Sequence, residues 1–310
     1  MINKYGLILM VILLILGGFF VYLGRIEQDV SLSSVLEVWS DVVRDIDQFG
    51  LRLTHISDEK EMELGRELAA EFAKWSDFDR RWEPYIGKVG QKLAPKLFRK
   101  GIKYEFHVIK YPWINAFALP GGQIYITTDM LELISSEAEL SAILGHEMAH
   151  VDLFHCIEMV QYENVLKSMR LGEIGRLVDL LRESYTSGYR KYQEIEADAH
   201  GVFLMSEAGY NPKAVINIFD RLKSHFGRGA KARGRTPVGE AVIVLEDMMG
   251  SYFQTHPMFE DRIRRLRKVV AEKIDSSRHY FDGVDDYEKH KIKLSEDLGP
   301  PAFQNIRLGR

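Results

Sequence analysis

Residues 136–150 read Ser-Glu-Ala-Glu-Leu-Ser-Ala-Ile-Leu-Gly-His-Glu-Met-Ala-His. Ser136, followed by Glu139 three positions later, is a capping box, and Leu140, Ile143, Leu144, Met148 and Val151 then recur at helical spacing. The stretch therefore reads as a helix that starts at Ser136. His146 and His150 stand four apart, one turn along the same face, with Glu147 beside them. Two neutral imidazoles so placed can meet one Zn²⁺ at about 2.0–2.1 Å, with the glutamate next to the metal's water. A zinc that keeps an open position takes three protein ligands, so a third must come from elsewhere in the chain.

His155 is the nearest candidate in sequence, but on a continuing helix it points about 140° away from His150 and cannot join the pair. A metzincin spacing is excluded, because Leu153 and Cys156 occupy the positions that would need Gly and His. A later helical stretch offers Glu194-Ile195-Glu196-Ala197-Asp198. Glu194 and Asp198 share a face. Glu194 is then the expected third ligand, and Asp198 would accept a hydrogen bond from the far nitrogen of His146 or His150. Glu196 faces elsewhere and is the second choice.

Around this segment the periodicity changes along the chain. Helical spacing runs from Asp58 through Trp75, and a second helix is expected from Pro84 to Phe98. Ile102–Val108 alternates with period two, and shorter strands are expected at Ile114–Ala118 and Gln123–Thr127, divided by the turn Leu119-Pro120-Gly121-Gly122. Further helices are expected over 161–183, 189–208, 212–225, 240–250 and 260–273, with a basic, glycine-rich loop over 227–239. Residues 276–310 lose periodicity and read as a loosely attached tail. The fold class is α+β and mainly helical: a zincin-like domain with a small antiparallel or mixed sheet beside the zinc helix.

Composition narrows the function classes. The 310 residues are 46% hydrophobic and 28% charged, with a net charge of −4, so no nucleic-acid partner is expected. One cysteine, Cys156, excludes an internal disulfide framework and a Cys-based zinc site. Residues 6–24 are nineteen consecutive uncharged, mostly apolar positions, which as a helix would span roughly 28 Å. No A-x-A-like site follows them, which favours an uncleaved transmembrane signal anchor over a cleaved signal peptide. Lys4 and the terminal amine slightly favour a single-pass protein with its amino terminus inside and its bulk outside the cytoplasm. The expected layout is an anchor over 1–25, an amphipathic juxtamembrane segment over 26–57, a peptidase domain over 58–275 and the tail.

Four motifs together resemble the membrane-associated zinc metallopeptidases of family forty-eight, the gluzincin-type group that includes HtpX and the CaaX prenyl proteases. They are Asn115-Ala116-Phe117-Ala118-Leu119-Pro120-Gly121-Gly122, His146–His150, Glu194-x-x-Ala197-Asp198, and Thr255-His256-Pro257 followed by Arg262-Ile263. They cover roughly residues 60–270, with Arg190-Lys191 standing where the family often has Ser-Arg. The resemblance implies one zinc held by His146, His150 and Glu194, with Glu147 as general acid–base. It also implies polypeptide substrates, extended or misfolded, pairing along Asn115, Ala116, Phe117 and Ala118. His256 has three readings: a donor to the oxyanion, an occupant of the open zinc position that keeps the enzyme latent, or a structural histidine before a proline. The single anchor resembles the periplasmic bacterial members, and the expected activity is a metalloendopeptidase in quality control or processing of envelope proteins. Two rivals are a non-enzymatic chaperone on the same fold, against which the intact Glu147 speaks, and a zinc aminopeptidase, whose ligand spacing does not fit. Sequence leaves the oligomeric state open.

Overall fold

The computed structural model describes residues 56–74, 76–158, 189–227, 252–257 and 262–296. The expected anchor, the helices over 161–183 and 240–250 and nearly all of the basic loop lie outside these residues. Among the described residues no helix is long and apolar enough to cross a membrane.

Strands β1 (Glu105–Ile109) and β3 (Gln123–Thr127) run parallel, and β2 (Ala116–Leu119) pairs antiparallel on the other side of β3. The sheet is mixed and small, as expected. Alternation sends Phe106, Val108, Ala116, Ala118, Ile124 and Ile126 into the main core, beneath helices α2 (Glu83–Leu93) and α3 (Glu137–Asp152). Ile109, Phe117, Leu119 and Tyr125 face the opposite way, onto Leu68 and Phe72 of α1 (Asp58–Ala73). β1 starts at Glu105 rather than Ile102 because Glu105 pairs with Gln123, the first residue of β3. Before Gln123 the chain turns through Gly121 (φ 74°) and Gly122 (φ 89°), so residues 102–104 have nothing to pair with. Helix α2 ends at Leu93 and tightens into a short turn over Ala94–Lys96, because Pro95 has no N–H to continue the ladder.

Helix α1 grips the β2–β3 turn. The Gly121 N–H donates to Glu61 Oε1 at 2.9 Å, and a Cβ on Gly65 would sit 2.1 Å from the Pro120 carbonyl oxygen.

Helix α3 is buried along its whole length, and Glu137, Glu139, His146, Glu147, His150 and Asp152 are enclosed together with its apolar and small residues. Ser136 Oγ accepts from Glu139 N–H at 3.1 Å, while the Glu139 side chain reaches back to Ser135 N–H at 2.8 Å. The capping box thus closes one residue further upstream than its sequence implies. Two more free donors of the first turn, Glu137 N–H and Ala138 N–H, are taken by the carbonyls of Gly283 (3.2 Å) and Asp282 (2.9 Å).

That contact departs from the expected loose tail over residues 276–296; residues 297–310 lie outside the described residues. Val284–Glu296 form a helix, α7, after α4 (Lys191–Glu207), α5 (Ala214–Gly227) and α6 (Arg262–Lys273). Tyr287 is fully buried and donates to the Leu131 carbonyl at 2.8 Å, and Leu294 is buried as well. Two core residues seven apart make no periodic stripe, and Asp282-Gly283 resembles an ordinary turn.

The two helices that matter most, α3 and α4, touch backbone to backbone. A Cβ on Gly201 would lie 3.0 Å from His146 N and 3.1 Å from the Gly145 carbonyl carbon. Gly201→Val is therefore expected to force α3 and α4 apart and lower both thermal stability and zinc retention. Gly87→Ala, where an added Cβ meets nothing within 4 Å, should instead stabilise by about 1 kcal/mol. Thermal unfolding and chelator competition on the two variants check this pair of outcomes.

Candidate metal centre and active site

The close crossing of α3 and α4 brings three polar side chains to one buried point. His146 Nε2 and His150 Nε2 are 3.1 Å apart, one turn along α3. Glu194, in the first turn of α4, places Oε2 3.6 Å from His146 Nε2 and Oε1 3.5 Å from His150 Nε2. His256, just beyond the short helical turn Tyr252–Thr255, adds Nδ1 at 3.2 Å from His146 Nε2 and 3.0 Å from Glu194 Oε1. Donors around a tetrahedral zinc lie about 3.3 Å from one another, the edge that bonds of about 2.0–2.1 Å require. The observed separations scatter about that value, and one donor atom from each of the four residues lies within 4.8 Å of the others. The group is also chemically apt, two or three imidazoles and one carboxylate, all buried.

Glu147 supplies a second sign that the site is built for something more. Both its carboxylate oxygens are buried with no hydrogen-bond partner among the described residues, although His256 Nε2 stands 3.3 Å from Oε1. A carboxylate left without a hydrogen bond in a protein interior is costly unless a ligand or solvent completes it. Burial, above all, holds Glu147 above the usual carboxylate range, against the pull of His256 and His146. Burial also pushes His150 well below the ordinary histidine value, which keeps the ring neutral and fit to ligate.

Arg262 balances the carboxylates. It is fully buried at the start of α6, bidentate to Asp198 at 2.8 and 2.9 Å, and 2.6 Å from Glu194 Oε2. Burial, the largest effect on each, would raise Glu194 and Asp198; Arg262 together with His256 and His150 around Glu194, and with His146 beside Asp198, outweighs it and holds both below the usual range, Glu194 well below. The same guanidinium donates to the carbonyls of His256 (3.2 Å) and Pro257 (3.3 Å), fixing the His256 turn to the carboxylates. His256 is drawn up in pKa by Glu147 and Glu194, against the effect of its burial.

The sequence-predicted residues divide as follows. His146, Glu147, His150, Glu194 and His256 converge. Asp198 lies 3.1 Å from His146 Nδ1, so of the two histidines it was expected to serve, it meets His146. Glu196 points away, as expected, with its side chain 43% exposed. Asn115 is buried one hydrogen bond from the His256 turn: its Oδ1 accepts from Ala116 N–H at 2.8 Å and from Thr255 Oγ1 at 3.5 Å. Ala116, Phe117 and Ala118 follow on β2, which is the outer strand of the sheet among the described residues.

Sequence reasoning missed three contributors. Arg262 belonged to a quoted motif but carried no role. Tyr189 stacks on His150 with ring centroids 3.7 Å apart, and Tyr252 stacks on His256 at 4.6 Å; neither left a spacing signal. His155 lies outside the donor cluster, as expected, but the reason differs from the one expected. Helix α3 stops at Asp152, and the chain turns back so that His155 Nδ1 lies 3.0 Å from His150 Nδ1.

Arg262→Leu would strand two buried carboxylates. It is expected to destabilise the zinc-free protein by about 3–5 kcal/mol, with a smaller loss when zinc is bound. Denaturant unfolding with and without zinc reads both.

The fission yeast Schizosaccharomyces pombe has a mitochondrial metalloendopeptidase OMA1 that is 28% identical over 195 residues, 61% of this chain and 53% of that protein. The Arabidopsis thaliana mitochondrial metalloendopeptidase OMA1 is 27% identical over 68% of this chain and 42% of its own length. The beta-barrel assembly-enhancing protease of Yersinia pestis is 23% identical over 47% of this chain and 33% of that protein. The match thus spans about half or less of these relatives. The family model described as peptidase family M48 matches residues 81–270, a stretch that holds every convergent residue named above. Zinc is the metal that this donor set and this family share, and the chain belongs to peptidase family M48.

Proposed function

We propose that this protein is a membrane-anchored zinc metalloendopeptidase in which His146, His150 and Glu194 hold the metal and Glu147 is the general base. One observation carries the reading: the Glu194 carboxylate stands 3.5 and 3.6 Å from the two histidine nitrogens, directly beside a Glu147 whose oxygens have no hydrogen bond among the described residues. Zinc, when bound, supplies an acidified water and an electrophile for the scissile carbonyl. Glu147 takes a proton from the attacking water and returns it to the leaving amine. Its burial suits both steps, because a carboxylate with a raised pKa holds the proton long enough to pass it on. Asp198 orients His146 through Nδ1, and Arg262 keeps Glu194 and Asp198 ionised.

His256 combines two of its readings in sequence. In the resting protein its Nδ1 stands at the fourth corner of the donor set; displaced by substrate, the same ring becomes a donor to the developing oxyanion. An extended polypeptide pairs with the outer edge of β2 along Asn115, Ala116, Phe117 and Ala118, main chain to main chain. The apolar residues 6–24 anchor the chain, with the catalytic domain on the extracytoplasmic side. Names such as metalloendopeptidase and beta-barrel assembly-enhancing protease among its relatives support a role in processing or quality control of envelope proteins.

Zinc-loaded protein is expected to cleave casein, and Glu147→Gln to lose at least about 10²-fold in kcat while keeping its zinc. Equal rates for the two would reject the enzyme reading and leave a binding module. Reporter fusions at the carboxyl end read the proposed topology.

His256→Ala should weaken zinc retention and lower kcat by about 10²–10³-fold. Unchanged zinc coordination together with unchanged activity would remove His256 from the site.

A further inference from the structure

We infer that His155 is a positioning residue for the metal site, and that Glu196, through His155, fixes the tautomer in which His150 presents Nε2 to the metal. The inference rests on the reading of His150 as a ligand. The His150 ring has two sides. Nε2 faces His146 Nε2 at 3.1 Å and Glu194 Oε1 at 3.5 Å; Nδ1 faces His155 Nδ1 at 3.0 Å. On its own far side, His155 Nε2 lies 3.3 Å from Glu196 Oε2. His150 and His155 are both buried, so no bulk water competes for the contact between them.

Two imidazole nitrogens at hydrogen-bond distance must share a single proton, and a neutral imidazole carries only one N–H. Two polarities satisfy that condition. In the first, His150 carries its proton on Nδ1 and donates to His155 Nδ1, while His155 carries its own on Nε2 and donates to Glu196. In the second, every proton moves to the opposite nitrogen. His150 Nε2–H then points at the other metal-site donors, and a lone pair of His155 Nε2 faces the carboxylate. A carboxylate accepts and cannot donate, so Glu196 selects the first polarity. That polarity leaves the lone pair of His150 Nε2 free toward His146 and Glu194. The pattern matches the general role of groups outside a metal's immediate ligands, here exercised by an imidazole backed by a carboxylate. The other histidine has a carboxylate next to its own ring, Asp198 Oδ1 at 3.1 Å from His146 Nδ1.

The backbone is shaped to deliver His155 to this place. Phe154 has φ 66°, the left-handed region that a residue with a side chain ordinarily avoids. Arg99 holds it there: its guanidinium lies 4.0 Å from the centroid of the Phe154 ring and donates to the Val151 carbonyl at 2.7 Å. A helix that ran on past Asp152 would carry His155 away from His150. The turn at Phe154 brings it back.

The test uses the full chain and measures zinc affinity by chelator competition, together with the visible spectrum of the cobalt-substituted protein. His155→Leu is expected to weaken zinc binding by about 10–100-fold and to shift the cobalt bands. His155→Asn places an oxygen acceptor near the position of Nδ1 and should recover most of the affinity. Glu196→Leu, on a half-exposed side chain that the fold does not need, should weaken zinc by about tenfold. Wild-type affinity and spectrum in Glu196→Leu would overturn the role given to Glu196. Equal losses in His155→Leu and His155→Asn would overturn the hydrogen bond in favour of simple packing. His150→Ala separates this inference from the reading beneath it: retained zinc there means that His150 is no ligand, whatever His155 does.

Discussion

Two helices can approach until their backbones touch only where neither carries a side chain at the crossing. Here that place is Gly145 against Gly201, immediately beside His146. Everything at the site follows from this closeness. A carboxylate on α4 must reach two imidazoles on α3, and the glutamate side chain is short. Larger residues at the crossing would move Glu194 out of range. The sheet, the grip of α1 on the Pro120–Gly122 turn and the packing of α2 then serve to hold α3 rigid, buried on every side.

Such burial creates an electrostatic problem. Glu147, Glu194 and Asp198 are all enclosed, and carboxylates in a low-dielectric interior are strongly disfavoured unless matched. Arg262 matches two of them and leaves Glu147 as the one whose pKa rises. The division suits the chemistry proposed for each. Groups that hold a cation must stay ionised, whereas the group that shuttles a proton works best when its pKa lies closer to neutrality. The molecule separates the two roles by where it puts a single guanidinium.

The sequence was most informative where geometry is local. The His146–His150 spacing, the Ser136 cap and the Glu194–Asp198 pair each lie within one or two helical turns, and helical periodicity alone sets their mutual placement. The strands emerged from alternation and from the Pro-Gly-Gly turn, with ends misjudged by a few residues because pairing partners, not propensity, decide where a strand starts. Long-range polar contacts were not legible. Arg262 meets Asp198 across 64 positions of sequence, and nothing in either neighbourhood announces the other. His155 was misplaced for a different reason: extending a helix past its visible pattern is a sound default, and a left-handed phenylalanine defeats it. Helix α7 was hidden by having too few buried residues to make a stripe.

The carbonyls of Asp282 and Gly283, which satisfy the first turn of α3, follow every residue of the donor cluster in chain order. Until they arrive, the helix bearing His146 and His150 starts with two unsatisfied donors in what becomes the protein interior. The order of synthesis therefore separates making the candidate metal ligands from finishing the helix that carries His146 and His150. For the peptidase proposed above this has a protective sense: the nascent polypeptide carries the candidate ligands before it carries the segment that completes the helix holding two of them.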